Sequence, residues 1–316
     1  MRTSPPPFST TAAPTDSLGR HLRWQVLLAC LGLLALVSLL GYSTYAVTTI
    51  LVPDRGGAFR EGVVGNPRYL NPFVCDRNEV DEDLCTLLFR GLTRIDQHGR
   101  VVPDLASDWT ITDEKVYTFR LRQDQYWHDG RPVTADDVLF SWKLLREKGR
   151  PNHRLYYSKV LKAEKLSQDK VRFAFSEAGD RELPLILALL PVLPKHATDP
   201  ERFDEPSLSI APGSGPYTVA EVRAGHSVVL RRNTGYWGRD LPVNRGHFNF
   251  DELRFEFYRD STSWLEAFKR GLYDFRIEDD PGRWVSAYDF PAARSGGLIL
   301  EELATATPKP MFAFVF

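Results

Sequence analysis

The sequence is poor in cysteine and has no excess of charge of either sign. It has three cysteines in 316 residues, and its 40 Lys and Arg residues nearly balance its 41 Asp and Glu residues. Domains that bind nucleic acid usually have a basic excess. We therefore expect no nucleic-acid partner.

Common catalytic motifs are also absent. The sequence has no Cys-x-x-Cys pair, no Gly-x-Ser-x-Gly elbow and no His-Glu-x-x-His motif, and its seven histidines are scattered. Such motifs supply the nucleophiles and metal ligands of hydrolases and zinc enzymes. We therefore expect a protein that is not an enzyme and that has no catalytic residue, cofactor or metal site.

The N-terminal part contains one long uncharged segment. Residues 1–23 are predicted to form a disordered cytoplasmic tail, because they are rich in Pro, Ser and Thr up to Gly19 and have little to bury. No charged residue occurs from Trp24 to Pro53. About 20 apolar residues cross a bilayer, so residues 24–52 are predicted to be a transmembrane signal anchor.

The charges that flank this segment predict its orientation. Arg20 and Arg23 precede it, and positive residues stay on the cytoplasmic side. We expect a single-pass protein of the cytoplasmic membrane whose globular domain lies on the extracytoplasmic, periplasmic side. The alternatives are a cleaved signal peptide, a lipoprotein lipidated at Cys30 and a buried helix; most of the apolar core follows Cys30, which disfavours the lipoprotein.

Cys75 and Cys85 are a possible disulfide. They lie ten residues apart, and disulfides persist outside the cytoplasm. Because the geometry of a pair cannot be read from a sequence, a disulfide and two free thiols both remain open.

The clearest signals of local secondary structure lie between Asp108 and Trp142. Residues 116–122 alternate in the manner of a half-buried strand, after a polar turn at Asp113 and Glu114. A turn at 128–130 follows, and then a helix that begins at Thr134 with Asp137 in the position of a capping box. His128 and its neighbouring aspartates are therefore interpreted as turn and cap residues.

Strands and helices alternate along the rest of the chain, which predicts an α/β class with a mixed sheet. Short strands are expected at Tyr273–Arg276, Leu298–Leu303 and Met311–Phe316. The glycine-rich segment from Ala211 to Tyr217 lacks the Lys-Ser/Thr of a phosphate-binding loop, so we interpret it as a structural turn.

Several of these segments together resemble the family 5 extracellular solute-binding proteins, the oligopeptide- and dipeptide-binding subunits of ABC importers. The resemblance covers about residues 60–316. It is carried by Leu70–Pro72, Asp104–Trp109, Tyr117–Arg122, Trp127–Trp142, Gly213–Tyr217, Asn233–Trp237 and Ala267–Asp274. Residues Asn244–Asp251 and Tyr258–Thr262 resemble the branch that imports peptides and peptide antibiotics of the microcin C type.

The resemblance implies a fold of the class II periplasmic-binding-protein type, in which two lobes close over a ligand by hinge motion. It implies that residues 58–316 form lobe I. Members of the family pass into lobe II near the position of Phe316, so the second lobe is expected to be missing from this chain. The chain would then be a fragment or a truncated, non-functional remnant.

The resemblance also implies partners and candidate ligand contacts. The ligand would be a peptide or a similar small solute, and the protein partners would be ABC permease subunits. Another possibility is a membrane-anchored sensor with the same fold. The candidate ligand-binding residues are Asn71, Phe73, Tyr156, Tyr157, Tyr217 and Trp237.

Overall fold

The computed structural model describes residues 15–48, 53–75, 79–96, 98–179, 182–208 and 211–302. The chain divides into two compact units, Met1–Pro53 and Asp54–Phe316. The predicted strand at Met311–Phe316 lies outside the described residues, as do the first 14 residues of the predicted tail.

The first unit contains one long helix, α1 (Thr15–Thr48). Its part from Arg23 to Thr48 is long and apolar enough to cross a membrane by length and composition. The hydroxyls of Thr44 and Thr48 donate to the carbonyls of Leu40 and Thr44, at 2.8 and 2.7 Å. These bonds satisfy the hydroxyl groups within the helix itself.

The helix begins earlier than the sequence suggests. Residues 15–23 belong to the predicted disordered tail, yet they are helical in the structure. Once a helix is nucleated, each further residue adds one hydrogen bond at little cost. The apolar segment therefore extends its helix into a sequence that has no apolar pattern of its own.

The second unit contains the remaining helices and all the described strands. The helices are α2 (Glu79–Leu88), α3 (Ala135–Lys148), α4 (Pro151–Ser158), α5 (Glu182–Ala188), α6 (Ser261–Lys269), α7 (Pro281–Ser286) and α8 (Pro291–Arg294), with a 3-10 turn at Pro242–Asn244. The strands are β1 (Ala58–Val64), β2 (Thr93–Ile95), β3 (Val101–Pro103), β4 (Ala106–Thr112), β5 (Val116–Leu121), β6 (Val160–Ser167), β7 (Lys170–Phe175), β8 (Tyr217–Arg223), β9 (Ser227–Arg232) and β10 (Glu252–Tyr258).

These strands form two sheets of four strands and one hairpin. The first sheet has the order β1-β10-β9-β8, in which β1 and β10 are parallel and the other pairs antiparallel. The second sheet has the order β4-β5-β7-β6 and is antiparallel. The first sheet is mixed, so the predicted α/β class with a mixed sheet is confirmed.

The stretch from Asp108 to Trp142 folds as predicted. Asp113 and Glu114 both have positive φ, 52° and 53°, and the Lys115 amide donates to the Thr112 carbonyl at 3.2 Å, which closes a tight turn between β4 and β5 around these two residues. Phe119 is fully buried and packs edge-on against Phe173 at 6.3 Å. The Asp137 carboxylate accepts hydrogen bonds from the amide and the hydroxyl of Thr134, at 2.9 and 3.0 Å, so the capping role of Asp137 is confirmed.

Two predicted strands are not formed. At Tyr273–Arg276 the contact with β1 is limited to a parallel bridge between Phe275 and Glu61 and a hydrogen bond from the Asp274 amide to the Arg60 carbonyl at 2.8 Å. The reason is that the Arg60 amide donates to the Asp274 carboxylate at 2.9 Å, and not to a backbone carbonyl. Residues 298–302 have no partner strand among the described residues, and an extended segment without a partner does not become a strand.

Candidate functional site

The candidate site lies at the edge of the first sheet where its parallel strands end. Because β1 and β10 are parallel, their carboxyl ends lie at the same edge, and the bridge at Phe275 has the same direction. Ligands of open α/β sheets bind outside the carboxyl ends of the strands. The chain leaves this edge through residues 65–75, α6 and the segment 276–280, and we call this region the carboxyl edge.

The α6 helix begins at this edge with Asp260 as its N-cap residue. The Asp260 carboxylate accepts hydrogen bonds from the amides of Thr262 and Ser263, at 3.0 and 2.8 Å. These bonds, that of Ser263 first, lower the pKa of Asp260. Asp260 satisfies amides that the first turn leaves without intrahelical partners.

A buried ion pair organises the segment after Phe275. The guanidinium of Arg276 donates to the Glu278 carboxylate at 2.8 Å, and the two side chains are 1% and 2% exposed. The hydroxyl of Tyr288 accepts from Arg276 Nε at 2.9 Å and donates to Glu278 at 3.0 Å. The Arg276 guanidinium also lies over the ring of Trp264, 3.6 Å from its centroid.

This network determines the charge state of its carboxylate. Desolvation acts to raise the pKa of Glu278, but the hydrogen bonds from Arg276, the Asp280 amide and Tyr288 outweigh it and hold the pKa below its ordinary value. Arg283 Nε donates to the other carboxylate oxygen at 3.1 Å. Protein donors thus occupy the Glu278 carboxylate, so its role is to position the segment. Direct contact with a ligand would fall to the neighbouring side chains.

The neighbours of the buried pair are exposed and apolar. Phe275 and Ile277 alternate with Arg276 and Glu278, and they are 43% and 58% exposed. In an extended segment, successive side chains point to opposite sides. The network that buries one side therefore presents an apolar surface on the other.

Glu61 is a half-buried carboxylate in the middle of β1. Burial raises its pKa to about 7, and the nearby charge of Asp83 adds to the shift. Among the described residues, no side chain or amide forms a hydrogen bond or an ion pair with the Glu61 carboxylate. Its charge is therefore uncompensated when the group is ionised.

The structure brings Asn71 and Phe73 together in the loop after β1. The Asn71 side chain donates to the Phe203 carbonyl at 2.6 Å and accepts from the Phe73 amide at 3.0 Å. Asn71 also lines a cavity of about 430 Å³. Phe73 is 2% exposed and packs edge-on against Phe203 at 6.4 Å, so in this structure it is a core residue.

The two candidate tyrosines of α4 differ in burial. Tyr157 is buried, and its burial raises the pKa of its hydroxyl. Tyr156 is partly buried and packs against the core. Only Tyr156 has a side chain that reaches the surface.

Tyr217 and Trp237 lie beside the glycine-rich segment. The Tyr217 hydroxyl donates to the Phe250 carbonyl at 2.9 Å, and burial raises its pKa to about 12. The half-buried Trp237 donates from its indole nitrogen to the Ser214 carbonyl at 3.1 Å. Both side chains therefore hold loops in place, and ligand contact by all six predicted residues remains a prediction.

The glycine-rich segment itself is a packing element. A Cβ at Gly213 would lie 2.1 Å from the Leu88 carbonyl oxygen, and one at Gly215 would lie 2.3 Å from that of Leu87. The Gly215 amide donates to the Leu88 carbonyl at 2.9 Å. His128 Nε2 contacts the Gly215 carbonyl at 3.0 Å. The segment is therefore a structural turn against the end of α2, as predicted.

The cysteines of the second unit are buried free thiols. Cys75 and Cys85 are 6% and 3% exposed. A hydrogen bond with Cys75 is the main cause that raises the pKa of the Cys85 thiol, followed by burial. The two side chains are therefore neighbours, and their disulfide remains a prediction.

Sequence reasoning missed the network of Arg276, Glu278 and Tyr288. Charged residues two apart after an aromatic strand are typical of solvent-exposed positions, and only the packing of Trp264 and Tyr288 buries them. Within the part of the chain that the structure describes, no group of three or more His, Cys, Asp or Glu side chains is placed to hold a metal ion.

Comparison with known proteins connects this arrangement to a family. The family described as bacterial extracellular solute-binding proteins, family 5, matches residues 100–313. A putative binding protein of Brucella melitensis is 40% identical over 286 residues, which are 87% of this chain and 46% of that protein. The peptidoglycan-binding protein YepA of Agrobacterium fabrum is 38% identical over 283 residues, 84% of this chain and 46% of that protein.

Solved structures share the fold. The agropinic-acid complex of AgaA from A. tumefaciens R10 has a TM-score of 0.59 at 25% identity, over 69% of this chain and 43% of that one. The oligopeptide-binding protein AppA of Bacillus subtilis, in complex with a nonapeptide, has a TM-score of 0.63 at 22% identity, over 75% and 47% of the two chains. The chain thus spans about half the length of the curated relatives and of these structures.

Proposed function

Because the chain belongs to the bacterial extracellular solute-binding proteins of family 5, we propose that it captures peptides or similar small solutes outside the cytoplasmic membrane for import. This family consists of binding proteins, so the chain is a binding protein and not an enzyme. The observation that carries the proposal is the family match over residues 100–313, which includes α6 and the Arg276–Glu278 network.

The names of relatives favour a peptide ligand. YepA is named for peptidoglycan binding, and a probable peptide-binding protein YejA of A. fabrum is 42% identical over 198 residues. Peptidoglycan contains short peptides, so both names suggest peptide recognition. The ligand would be passed to ABC permease subunits, which are the expected protein partners.

The N-terminal helix supports a location at the membrane. We propose that α1 anchors the chain in the cytoplasmic membrane and that the second unit lies outside. The apolar part from Arg23 to Thr48 is long enough to span, and Arg20 and Arg23 favour a cytoplasmic N-terminus. A tether of this kind would raise the concentration of bound solute near the permease.

The carboxyl edge is the proposed ligand surface. Exposed Phe275 and Ile277 offer apolar contact, while the buried ion pair of Arg276 and Glu278, which alternate with them, keeps the segment in place. Of the six predicted contacts, Asn71 lies in this edge and is partly exposed. Tyr156, on α4, and Trp237, beside Arg122, are also partly exposed but lie outside this edge. Phe73, Tyr157 and Tyr217 would act through packing.

The test is calorimetry on the full chain in detergent, with trialanine and tetraalanine as probes. We expect saturable binding of at least one peptide. The Ile277→Asp variant should weaken this binding at least roughly tenfold, because a charge replaces apolar contact. Ile111→Asp is the matched control, since Ile111 is 52% exposed and lies on β4 in the other sheet.

Two outcomes would contradict the proposal. One is the absence of saturable binding for both peptides. The other is an equal loss of affinity in the Ile111 and Ile277 variants, which would place the ligand elsewhere. Co-purification of the full chain with permease subunits from membranes would test the transport partner separately.

A further inference from the structure

A large groove lies between the β2–β3 hairpin and the segment 241–247, and none of its lining residues belongs to the carboxyl edge. Its volume is about 710 Å³, which is within the range of small-molecule sites. Two histidines contribute to its wall. Its strong charges are those of Arg94, Arg100, Arg122, Arg245 and Asp96.

The single carboxylate of this wall neutralises only one of the four arginines. Asp96 forms an ion pair with Arg100 at 2.8 Å, and its other oxygen accepts from the amides of His98 and Arg100. Within the described ranges, none of Arg94, Arg122 and Arg245 forms an ion pair with a carboxylate. The wall of the groove therefore has an excess of positive charge.

The interior behind the groove does not remove this excess. Asp104 is 1% exposed, and its burial raises the pKa of its carboxyl although Arg90, Arg94 and Arg122 all act to lower it. This one carboxyl group therefore does not neutralise the three cations. Burial, together with repulsion from Arg90, lowers the pKa of Arg94, as expected for a cation whose charge is not fully compensated.

Two guanidinium groups are held in place by neutral partners. Arg122 Nε donates to the Asp104 backbone carbonyl at 2.9 Å, and its guanidinium lies 6.0 Å from the ring centroid of Trp237. Arg94 donates to the side-chain oxygen of Asn244. A guanidinium has five N–H donors, so these contacts orient each group and leave donors available for a ligand.

We propose that this groove binds a small anion that carries two or more phosphate or carboxylate groups. Planar guanidinium groups donate pairs of hydrogen bonds to both kinds of oxyanion. Such an anion would supply the negative charge that the wall lacks. Exposed Arg100 and Arg245 would contact it at the rim, and Arg94 and Arg122 deeper in the groove.

The experiment is a calorimetric titration of the full chain in detergent. The probes are pyrophosphate for the phosphate source and citrate for the carboxylate source, with sodium chloride at equal ionic strength as the blank. We expect saturable binding of at least one probe, and the tighter probe identifies the oxyanion. Absence of saturable binding for both would overturn the proposal.

Variants then locate the binding. Arg245→Gln removes an exposed charge and should weaken binding at least roughly tenfold. Arg172→Gln is the matched control, because Arg172 is exposed on β7 in the other sheet, and it should leave binding unchanged. Asp96→Asn removes the carboxylate of the wall while keeping an acceptor oxygen for the turn, so it should tighten binding several-fold.

Folding of each variant is checked by circular dichroism. If the Arg245→Gln variant binds as tightly as the original chain, the anion is not held in this groove and the proposal fails. If Asp96→Asn weakens binding to the same extent as Arg245→Gln, the positive wall does not determine affinity, and the proposal fails as well.

Discussion

Arg276 and Glu278 form an ion pair at 2.8 Å whose side chains are 1% and 2% exposed. Two charges so far from water are stable only when hydrogen bonds replace their hydration. Tyr288, Arg283 and the Asp280 amide provide these bonds. The pair thus ties the segment after the sheet to α7 and to the residues that follow it.

We predict that Glu278→Gln lowers the free energy of unfolding by about 3–5 kcal/mol, because it leaves the charge of Arg276 buried without a partner. Chemical denaturation of the full chain, followed by circular dichroism, measures the change. Asp274→Asn is the control, because its ion pair with Arg60 is of similar length, 2.7 Å against 2.8 Å, but its side chains are 44% and 38% exposed. Exposed pairs contribute about 0–1 kcal/mol, so equal losses in the two variants would contradict the argument.

We also predict that the stability provided by Glu278 is sensitive to acid. Its folded-state pKa lies below the ordinary value, so the unfolded chain binds the proton more readily. The stabilisation it provides is present above the unfolded-state pKa and is lost as the pH falls through the folded-state value. We expect the difference in stability between the original chain and Glu278→Gln to shrink as the pH falls below about 4.

For Glu61 we predict the opposite dependence of stability on pH. Its folded-state pKa is about 7 against an ordinary 4.5, so between these values the native state holds a proton that the unfolded chain releases. Stability should therefore fall as the pH rises through this window. Glu61→Gln should stabilise the protein by on the order of 2 kcal/mol at pH 8 and have little effect at pH 4. A constant difference at both pH values in denaturant titrations would refute this account.

We predict that adding one methyl group to the glycine-rich turn destabilises the protein strongly. Gly215→Ala would place a Cβ 2.3 Å from the Leu87 carbonyl oxygen, so the loop or α2 must shift, at about 1–3 kcal/mol. Gly235→Ala is the matched control, because its nearest atom would be 3.5 Å away. Thermal unfolding should separate the two, and an equal shift in Tm would mean that the loop accommodates the methyl group freely.

The cysteines can be tested by alkylation in denaturant without reductant. A disulfide between Cys75 and Cys85 would leave only Cys30 to react, whereas three free thiols would all react. Because the two buried thiols are neighbours and the proposed compartment is oxidising, we expect one reactive thiol in protein taken from outside the cytoplasm. Three would show that burial keeps this pair reduced.

Much of the fold could be predicted because local patterns decide it. The alternation in residues 116–122, the turn at Asp113 and Glu114 and the cap of α3 all appear where the sequence places them. Each depends on neighbours within a few residues. The resemblance to family 5 rests on the same local segments, and the family match supports it.

The sequence failed where distant segments compete for the same backbone groups. Residues 273–276 have the residue types of a strand, but the Asp274 side chain occupies the Arg60 amide. The interior positions of Phe73 and Tyr217, set by packing against Phe203 and by a hydrogen bond to the Phe250 carbonyl, likewise depend on distant segments.

The apolar N-terminal helix, the α/β class and the family could all be predicted from the order of the amino acids, because they depend on composition, on periodicity and on short motifs. Which charges are buried together became known only from the packing of distant segments. Arg276 and Glu278 acquire their roles from Trp264 and Tyr288, and Arg94 and Arg245 share a groove although 150 residues separate Arg94 from its partner Asn244. The energy of a charged side chain depends on its distance from other charges and on its exposure to water. A sequence pattern shows neither of these quantities.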